Sequence, residues 1–383
     1  MLDLHPTSAL STSRRNTLRS LDVNAAGDAV GDRSARSARS TLQKAMAQTL
    51  PWLLGLALIS SALPSASAQG GGEAKELRWV TLGPQGTPWW RAFSGLSGSL
   101  SKETQGKAKL KLSALGVNGD EAALVRKLRE GSVDGATLTA VGLAKLVPEA
   151  LILQAPGLID DEKKLDRAQE VLRKELEAAF DRAGFRVLGF YHAGSARFFV
   201  RKGLDQAPAK PEDLKNFKVA TLADDRLFAS FLDTVGAQKR VRLPIAQVRS
   251  ALGSGAVDLA PASALAALYL GWHSEVGGIS KESNSLLISA TVVRKAAFDK
   301  LNAEEQKALV QNAERAHQWL REALRKRDEQ SYAEFVKAGA KPFSLTPQRK
   351  AWEEASKKAR TKLAQAKVFP KAWLDRLESE LKP

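Results

Sequence analysis

The chain has 383 residues, enough for two or three domains, and 44% of them are hydrophobic, which can supply a substantial core. Basic residues outnumber acidic ones, 58 against 42, and the formal net charge is +16. The basic residues alternate with acidic partners along helical segments and form no aromatic-interleaved patch, which argues against nucleic-acid binding. The chain contains no cysteine, so an oxidising compartment would be tolerated but no disulfide can form.

The N-terminal region carries an export pattern. An apolar run at residues 50–63 follows Lys44 and precedes Ala66, Ser67 and Ala68, a small-residue cleavage site. We therefore predict a signal peptide with a long N-terminal extension over residues 1–68, cleaved after Ala68, and a linker at 69–76. The apolar run is shorter than the ~20 residues of a spanning helix, so a membrane anchor is the less favoured interpretation.

Strand and helix patterns alternate after the linker and predict a first α/β lobe over residues 77–195. The second helix is expected to begin at an N-cap, Asp120, and to end before Gly131. A further helix should stop at Pro148. The predicted strands are 77–82, 109–114, 135–139 and 151–154, and the predicted helices are one carrying Trp89 and Trp90, then 120–130, 140–147 and 161–182.

A crossover to a second α/β lobe, residues 196–290, is predicted near Arg197. Residues 187–192 and 197–201 have strand patterns, and Gly194 with Ser195 suggests a tight turn between them. Beyond 290, a long helix at 303–338 and a helix at 347–366 are expected to pack on both lobes. The second lobe is predicted to contain strands 217–222 and 239–243 and helices 225–234 and 245–252.

One short sequence occurs in both predicted lobes. The segment from Gly131 to Ala136 (GSVDGA) resembles the segment from Gly255 to Ala260 (GAVDLA), and each follows a Val-Arg pair. This suggests two similar lobes. The alternative is that any helix–glycine–strand unit would show the same pattern.

The sequence offers little catalytic chemistry. The three histidines after residue 68 (His192, His273 and His317) lack metal-ligand spacing, and there is no glycine-rich phosphate loop and no G-x-S-x-G motif. Asp134 and Asp258 each precede a short strand, and we interpret them as caps of backbone amides rather than as an acid–base pair. No catalytic residue, cofactor or metal site is predicted, and the chain is not expected to be an enzyme.

Several motifs, in order and spacing, resemble one family. They are Gly86-Thr87-Pro88-Trp89, Gly119-Asp120-Glu121, the run from Arg129 to Ala136, Val147-Pro148-Glu149, Gly189-Phe190 with Gly194 and Arg197, the run from Pro211 to Val219, and Gly255-Ala256-Val257-Asp258. From about residue 77 to 343 the chain resembles the substrate-binding proteins of tripartite ATP-independent periplasmic (TRAP) transporters, the DctP family.

This resemblance implies a periplasmic-binding-protein-like α/β fold. Two lobes would be joined by crossing strands, with a long bracing helix behind both. A small organic ligand would bind in the cleft between the lobes and be delivered to the membrane subunits of a permease. It also implies a periplasmic location, with no stable membrane insertion after cleavage of the signal peptide.

The chain departs from the family pattern at the expected ligand site. The family's arginine that clamps the ligand carboxylate is replaced by Ala220, followed by Thr221. A family asparagine is replaced by Ala262, next to Ser263, and Gly157 stands where an aromatic residue is usual. These changes predict a larger or more apolar ligand than a C4-dicarboxylate.

Seven residues are predicted to contact the ligand, most of them at strand ends, where open α/β sheets bind ligands. Arg197 would hold an acidic end, and Trp89 or Trp90 would pack on the body of the ligand. The remaining predicted contacts are Thr139, Ala220, Thr221 and Ser263.

Two alternatives use the same scaffold, a secreted enzyme and a stand-alone ligand sensor. An enzyme would need a base with a perturbed pKa in the cleft. A sensor would be encoded without neighbouring permease genes.

Overall fold

A computed structural model of the chain describes residues 74–222, 224–283 and 285–382. The predicted signal peptide, its extension and the cleavage site after Ala68 lie outside these ranges, as do residues 69–73 of the predicted linker. Within the described ranges, no helix is both long enough and apolar enough to cross a membrane.

The strands of the described residues are β1 (Lys75–Thr81), β2 (Ala108–Ala114), β3 (Gly135–Thr139), β4 (Phe185–Ser195), β5 (Arg197–Arg201), β6 (Val219–Thr221), β7 (Arg240–Arg242), β8 (Leu259–Ala262), β9 (Val276–Ser280), β10 (Leu286–Arg294) and β11 (Lys341–Phe343).

The helices are α1 (Pro88–Glu103), α2 (Glu121–Glu130), α3 (Ala140–Leu146), α4 (Glu162–Val171), α5 (Arg173–Arg182), α6 (Arg226–Thr234), α7 (Val248–Gly253), α8 (Ala264–Tyr269), α9 (Lys295–Phe298), α10 (Ala303–Lys337), α11 (Arg349–Gln365) and α12 (Lys371–Glu380). Short 3-10 helices occupy Leu115–Asn118, Pro148–Gln154, Pro211–Asn216, Ile245–Gln247, Trp272–Ser274 and Thr346–Gln348.

Two sheets organise the fold, and five strands of the second repeat the topology of the first, with β11 added beside β9. The first has the order β2-β1-β3-β10-β4, and the second has the order β11-β9-β5-β8-β6-β7. In the first sheet β1 is parallel to β2 and β3, while β10 is antiparallel to β3 and β4. In the second, β6 is parallel to β7 and β8, while β5 is antiparallel to β8 and β9. Both sheets are therefore mixed, each with three neighbouring parallel strands.

Helices cover both faces of each sheet. On one face of the first sheet Leu138 and Ala290 belong to a core with α2 to α5, and on the other Trp79 and Tyr191 pack with α1 and α10. In the second sheet Phe199 packs with α7, α8 and the end of α10, while Phe198 packs with α6 and α11. The long helix α10 thus contributes to the cores of both lobes.

The chain passes from the first sheet to the second with one residue between the strands. β4 ends at Ser195 and β5 begins at Arg197, so Gly194 and Ser195 are part of β4 and the predicted tight turn is wrong. Gly194 has φ 115°, and a Cβ there would lie 2.6 Å from the Cβ of Ser263, so only glycine fits this close approach. The chain returns to the first sheet between β9 and β10. The predicted end of lobe 2, at residue 290, falls inside β10, which pairs in the first sheet.

Two other predicted elements are wrong. Residues 151–154 belong to the 3-10 helix Pro148–Gln154, and its apolar residues are buried. A short, fully buried apolar run has no periodicity that distinguishes a strand from a helix. The predicted helix over 161–182 is two helices, α4 and α5, separated at Leu172, which has φ −104° and ψ 11° and a fully buried side chain.

Local end signals are clear at two of the other helices. Asp120 caps α2, its side chain accepting the N–H of Ala123, and Gly131 ends the helix with φ 82°. Asn302 and Glu305 form a capping box at the start of α10. Behind the two sheets, α10 packs on α1 and α8, α11 packs on α6, and α12 packs on α4.

Candidate functional site

The predicted ligand contacts lie mostly at the carboxyl ends of the parallel strands. Thr139 ends β3 and Thr221 ends β6, while Ser263 follows the last residue of β8. Trp89 and Trp90 lie in the first turn of α1, after the loop that follows β1. These residues therefore lie at the carboxyl ends of the parallel strands in each sheet, which is where ligands bind in open α/β folds.

An ion pair and an apolar contact join the two lobes near this edge. Lys145 in α3 lies 3.2 Å from the carboxylate of Asp224, which follows β6. Leu227 in α6 belongs to the buried core of the first lobe. The segments after Thr139 and after Thr221 thus approach each other across the gap between the sheets.

On the first lobe, the tight loop between β1 and α1 positions Trp89. Thr87 caps α1 and accepts the backbone N–H of Trp90 at 3.3 Å. A Cβ at Gly83 would lie 2.4 Å from the hydroxyl of Thr87 and 3.0 Å from the ring of Trp89, so glycine allows this packing. Trp89 is 8% exposed, and its Nε1 is buried with no hydrogen-bond partner among the described residues.

Thr139 is bound to Glu121, a residue that we did not predict as part of the site. The Oγ1 of Thr139 donates to Glu121 Oε1 at 2.6 Å, and its backbone N–H donates to Oε2 at 2.9 Å. The N–H of Gly142 also donates to Oε2. Burial raises the pKa of Glu121 despite these hydrogen bonds. The Gly119-Asp120-Glu121 motif was the sequence signal available for this residue.

On the second lobe the predicted contacts at the ends of β6 and β8 are the apolar side chain of Ala220 and the hydroxyl groups of Thr221 and Ser263. Ala220 is buried among Phe199, Leu243 and Ala262. Thr221 is also buried, and its Oγ1 has no partner among the described residues. Ser263 is fully buried and caps α8 by accepting the N–H of Ala266 at 3.2 Å. Its hydroxyl accepts this hydrogen bond within the lobe and keeps a proton that it can donate.

Arg197 lies at the crossover between the sheets. It is 6% exposed, and its Nη1 donates to the carbonyl oxygens of Ser280, at 3.2 Å, and of Lys281. Its Nη2 lies 3.4 Å from Glu329, and the guanidinium stacks 4.5 Å from the ring centroid of Tyr332. The structure thus places Arg197 against the second crossing segment and α10.

The three histidines of the described residues lie in different parts of the fold. Among the described residues there is no group of three or more histidine, cysteine or acidic side chains that could hold a metal ion. His192 lies 3.1 Å from Glu162, His273 is exposed, and His317 packs on Tyr191 inside the first lobe. The three rings therefore occupy separate environments.

The sequence matches one protein family along most of its length. The model of the DctP family, described as bacterial extracellular solute-binding protein, family 7, matches residues 80–367. The chain belongs to this family. The resemblance drawn from the motifs is confirmed.

Curated relatives of this DctP-family chain are about a quarter identical to it over the aligned regions. It is 26% identical over 261 residues to the 2,3-diketo-L-gulonate-binding periplasmic protein YiaO of Escherichia coli, covering 67% of this chain and 76% of that one. It is 24% identical over 269 residues to the C4-dicarboxylate-binding periplasmic protein DctP of Vibrio cholerae, covering 70% and 79%.

Solved structures of TRAP solute-binding proteins share the fold of this DctP-family chain. A Roseobacter denitrificans protein with bound β-D-glucuronate has a TM-score of 0.72 at 19% identity, covering 79% of this chain and 99% of that one. A Bordetella pertussis receptor binding pyroglutamic acid has a TM-score of 0.71 at 15% identity, covering 81% and 100%. The predicted fold of two α/β lobes is confirmed.

Proposed function

We propose that this DctP-family chain is an extracytoplasmic solute-binding protein that captures a small organic ligand between its two lobes. In the proposed function it works in the periplasm and delivers the ligand to the membrane subunits of a TRAP permease. Family membership supports this role, because related proteins are named as periplasmic binding proteins for 2,3-diketo-L-gulonate and C4-dicarboxylates.

One observation carries the proposal. Trp89 of the first lobe and Thr221 of the second each have a buried polar atom without a partner among the described residues, Nε1 and Oγ1 respectively. A buried polar group left unpaired costs about 1–3 kcal/mol. A ligand between the lobes would satisfy both atoms, one from each side, and would thereby stabilise the arrangement in which the lobes approach each other.

The proposed ligand is larger or more apolar than a C4-dicarboxylate. Ala220 supplies no positive charge at the position of the family's clamp arginine, and its neighbours Phe199, Leu243 and Ala262 are apolar. Solved relatives with the same fold hold glucuronate, galacturonate and orotic acid. We assign the ligand contacts to Trp89, Trp90, Thr139, Ala220, Thr221 and Ser263.

The test begins with mass spectrometry of small molecules released from the exported, purified protein, followed by calorimetric titration of the compound found. We expect Trp89→Phe and Thr221→Val each to weaken binding about tenfold, since each removes one hydrogen-bonding group. Trp272→Phe is the matched control, because Trp272 also has a buried Nε1 without a partner among the described residues but packs edge-to-face against Phe199 within the second lobe.

Two results would contradict the proposal. A protein that releases no small molecule and binds no member of a panel of sugar acids, keto acids and hydrophobic acids would not be a solute receptor of this kind. An equal loss of affinity in Trp272→Phe and Trp89→Phe would mean that the loss reflects the stability of the lobes rather than contact with the ligand.

A further inference from the structure

Two segments from different lobes come into direct contact beside the proposed ligand site. Lys145 is the next-to-last residue of α3, in the first lobe, and Asp224 follows β6, in the second lobe. The Nζ of Lys145 lies 3.2 Å from the Oδ2 of Asp224. This ion pair therefore joins the lobes directly, in addition to the crossing segments that connect the two sheets.

The backbone on each side of the ion pair is fixed within its own lobe. The end of α3 is held by Arg129 of α2, whose Nη2 donates to the carbonyl of Lys145 at 2.7 Å. Asp224 is followed by Asp225, the N-cap of α6, which accepts the N–H of Phe228 at 3.0 Å. The separation of the two backbone segments thus depends mainly on the position of one lobe relative to the other.

The ion pair lies to one side of the segments that cross between the lobes. β8 separates β6, which leads to Asp224, from β5, so two strand spacings of together about 10 Å lie between them. β10 separates β3, which leads into α3, from β4 in the same way. A rotation of one lobe about the crossing segments displaces points that lie off its axis, so opening of the cleft has to separate Lys145 from Asp224.

We propose that Lys145 and Asp224 form a latch, an ion pair that favours the closed arrangement of the lobes and breaks when they open. A contact that is present in one arrangement and absent from the other shifts the population toward the first. The two side chains are 33% and 46% exposed, so the latch is weak and biases the equilibrium without preventing opening. This inference rests on the proposed function, because the balance between open and closed lobes matters only for a protein that closes on a ligand.

The experiment measures the distance between the lobes without any ligand. The chain has no cysteine, so Ser94→Cys on α1 and Ala246→Cys in the 3-10 helix after β7 place one spin label on each lobe, at exposed and uncharged positions. Pulsed electron resonance on the dialysed, full mature chain then gives the distribution of distances. The substitutions at residues 145 and 224 are made in this labelled parent.

The expected shifts follow from the charges. Lys145→Glu should lower the ratio of short to long distances about tenfold, because a repulsion of similar size replaces the attraction. Lys145→Ala only removes the attraction and should lower the ratio about threefold. Combining Lys145→Glu with Asp224→Lys restores a pair of opposite charges and should return the ratio to within about twofold of the parent.

Lys164→Glu is the matched control. Lys164 pairs with Asp160 at 2.6 Å within the first lobe, and these side chains are 30% and 45% exposed, close to the values for the latch. The variant changes the net charge by the same amount as Lys145→Glu, so it should leave the distribution of distances unchanged.

Three results would overturn the proposal. They are a distribution in Lys145→Glu that superimposes on the parent, a swapped pair that remains as open as Lys145→Glu alone, and an equal shift in Lys164→Glu. Because no ligand is used, each of these failures is separate from a failure of the proposed function, which is judged by ligand binding alone.

Discussion

Asp134 and Asp258 make the same contacts at equivalent positions of the two lobes. The Oδ2 of each accepts the backbone N–H of a residue on the neighbouring segment, Arg78 for Asp134 and Lys218 for Asp258, both at 2.9 Å. Each carboxylate also accepts from an arginine Nε at 2.9 Å, that of Arg78 or of Arg201. The interpretation of both aspartates as caps of backbone amides is confirmed, and the repeated sequence corresponds to a repeated structure.

Replacing Asp258 by asparagine should destabilise the second lobe. Hydrogen bonds to a charged group contribute about 1.5–3 kcal/mol each, and asparagine would lose both the charge and one acceptor oxygen. Urea unfolding of Asp258→Asn at pH 7 measures the loss. The control is Asp233→Asn, which removes an exposed ion pair with Arg240 and should cost little. Equal losses in the two variants would contradict the assigned role.

The contacts of Asp258 should also make the free energy of unfolding depend on pH in the acidic range. Burial alone would raise the pKa of Asp258, but hydrogen bonds from Lys218 and Arg201 outweigh it and hold the pKa below its usual value. The unfolded carboxyl has a pKa near 3.9, so the contribution is present above about pH 4 and is lost as the pH falls further. We expect the difference between wild type and Asp258→Asn to shrink when unfolding is measured at pH 3.

His317 should make the free energy of unfolding depend on pH in a second range, above that of Asp258. Burial lowers the pKa of His317 to about 3, with a further contribution from Arg321, and its Nε2 lies 2.8 Å from the hydroxyl of Thr291. An unfolded histidine has a pKa near 6.5, so below that pH the unfolded state binds a proton that the folded state does not. The unfolding free energy should fall by about 1.4 kcal/mol per pH unit from pH 6 toward 3 through this group.

Urea unfolding at pH 7 and pH 5 tests this assignment. His317→Gln should be less stable than the wild type at pH 7 and should lose less stability between the two pH values. His273→Gln, at an exposed position, should keep the wild-type dependence. If His317→Gln and the wild type lose the same stability, the dependence comes from other groups.

Ligand preference should follow from the residue at position 220. In the proposed site Ala220 takes the position of the family's clamp arginine, so a C4-dicarboxylate would bring two charges to a position without a positive partner, and desolvating them is costly. Calorimetric titration should show no micromolar binding of succinate, while larger sugar acids or hydrophobic acids bind. Micromolar affinity for succinate would refute this prediction.

Export should produce a mature chain that begins at Gln69. The apolar run at 50–63 and the small residues Ala66 and Ala68 motivate this prediction. N-terminal sequencing of the protein from the extracytoplasmic fraction would identify the first residue. Ala68→Leu should slow processing, because the site requires small side chains. A mature protein that begins near Met1 or Met46 would show that the segment is retained.

The sequence alone determined the elements whose signals are local. The helix end signals at Asp120 and Gly131, the start of the long helix at Ala303 and the alternating strand over residues 109–114 all appear at or within a residue of their predicted positions. Each depends on contacts within about four residues, so the chain carries the signal at the place where it acts. The two-lobed plan followed from the order of these elements and the repeated glycine–aspartate segment.

The tertiary structure decided the elements without periodicity and the partners of the site residues. The buried run at 151–154 became a 3-10 helix, and β10 returned to the first sheet, because burial and strand pairing are determined by distant segments. Glu121 binds Thr139, 18 residues away, and Arg197 binds the carbonyl of Ser280, 83 residues away. A guanidinium can donate to a ligand carboxylate or to a backbone carbonyl, and only the folded chain determines which acceptor lies within its reach.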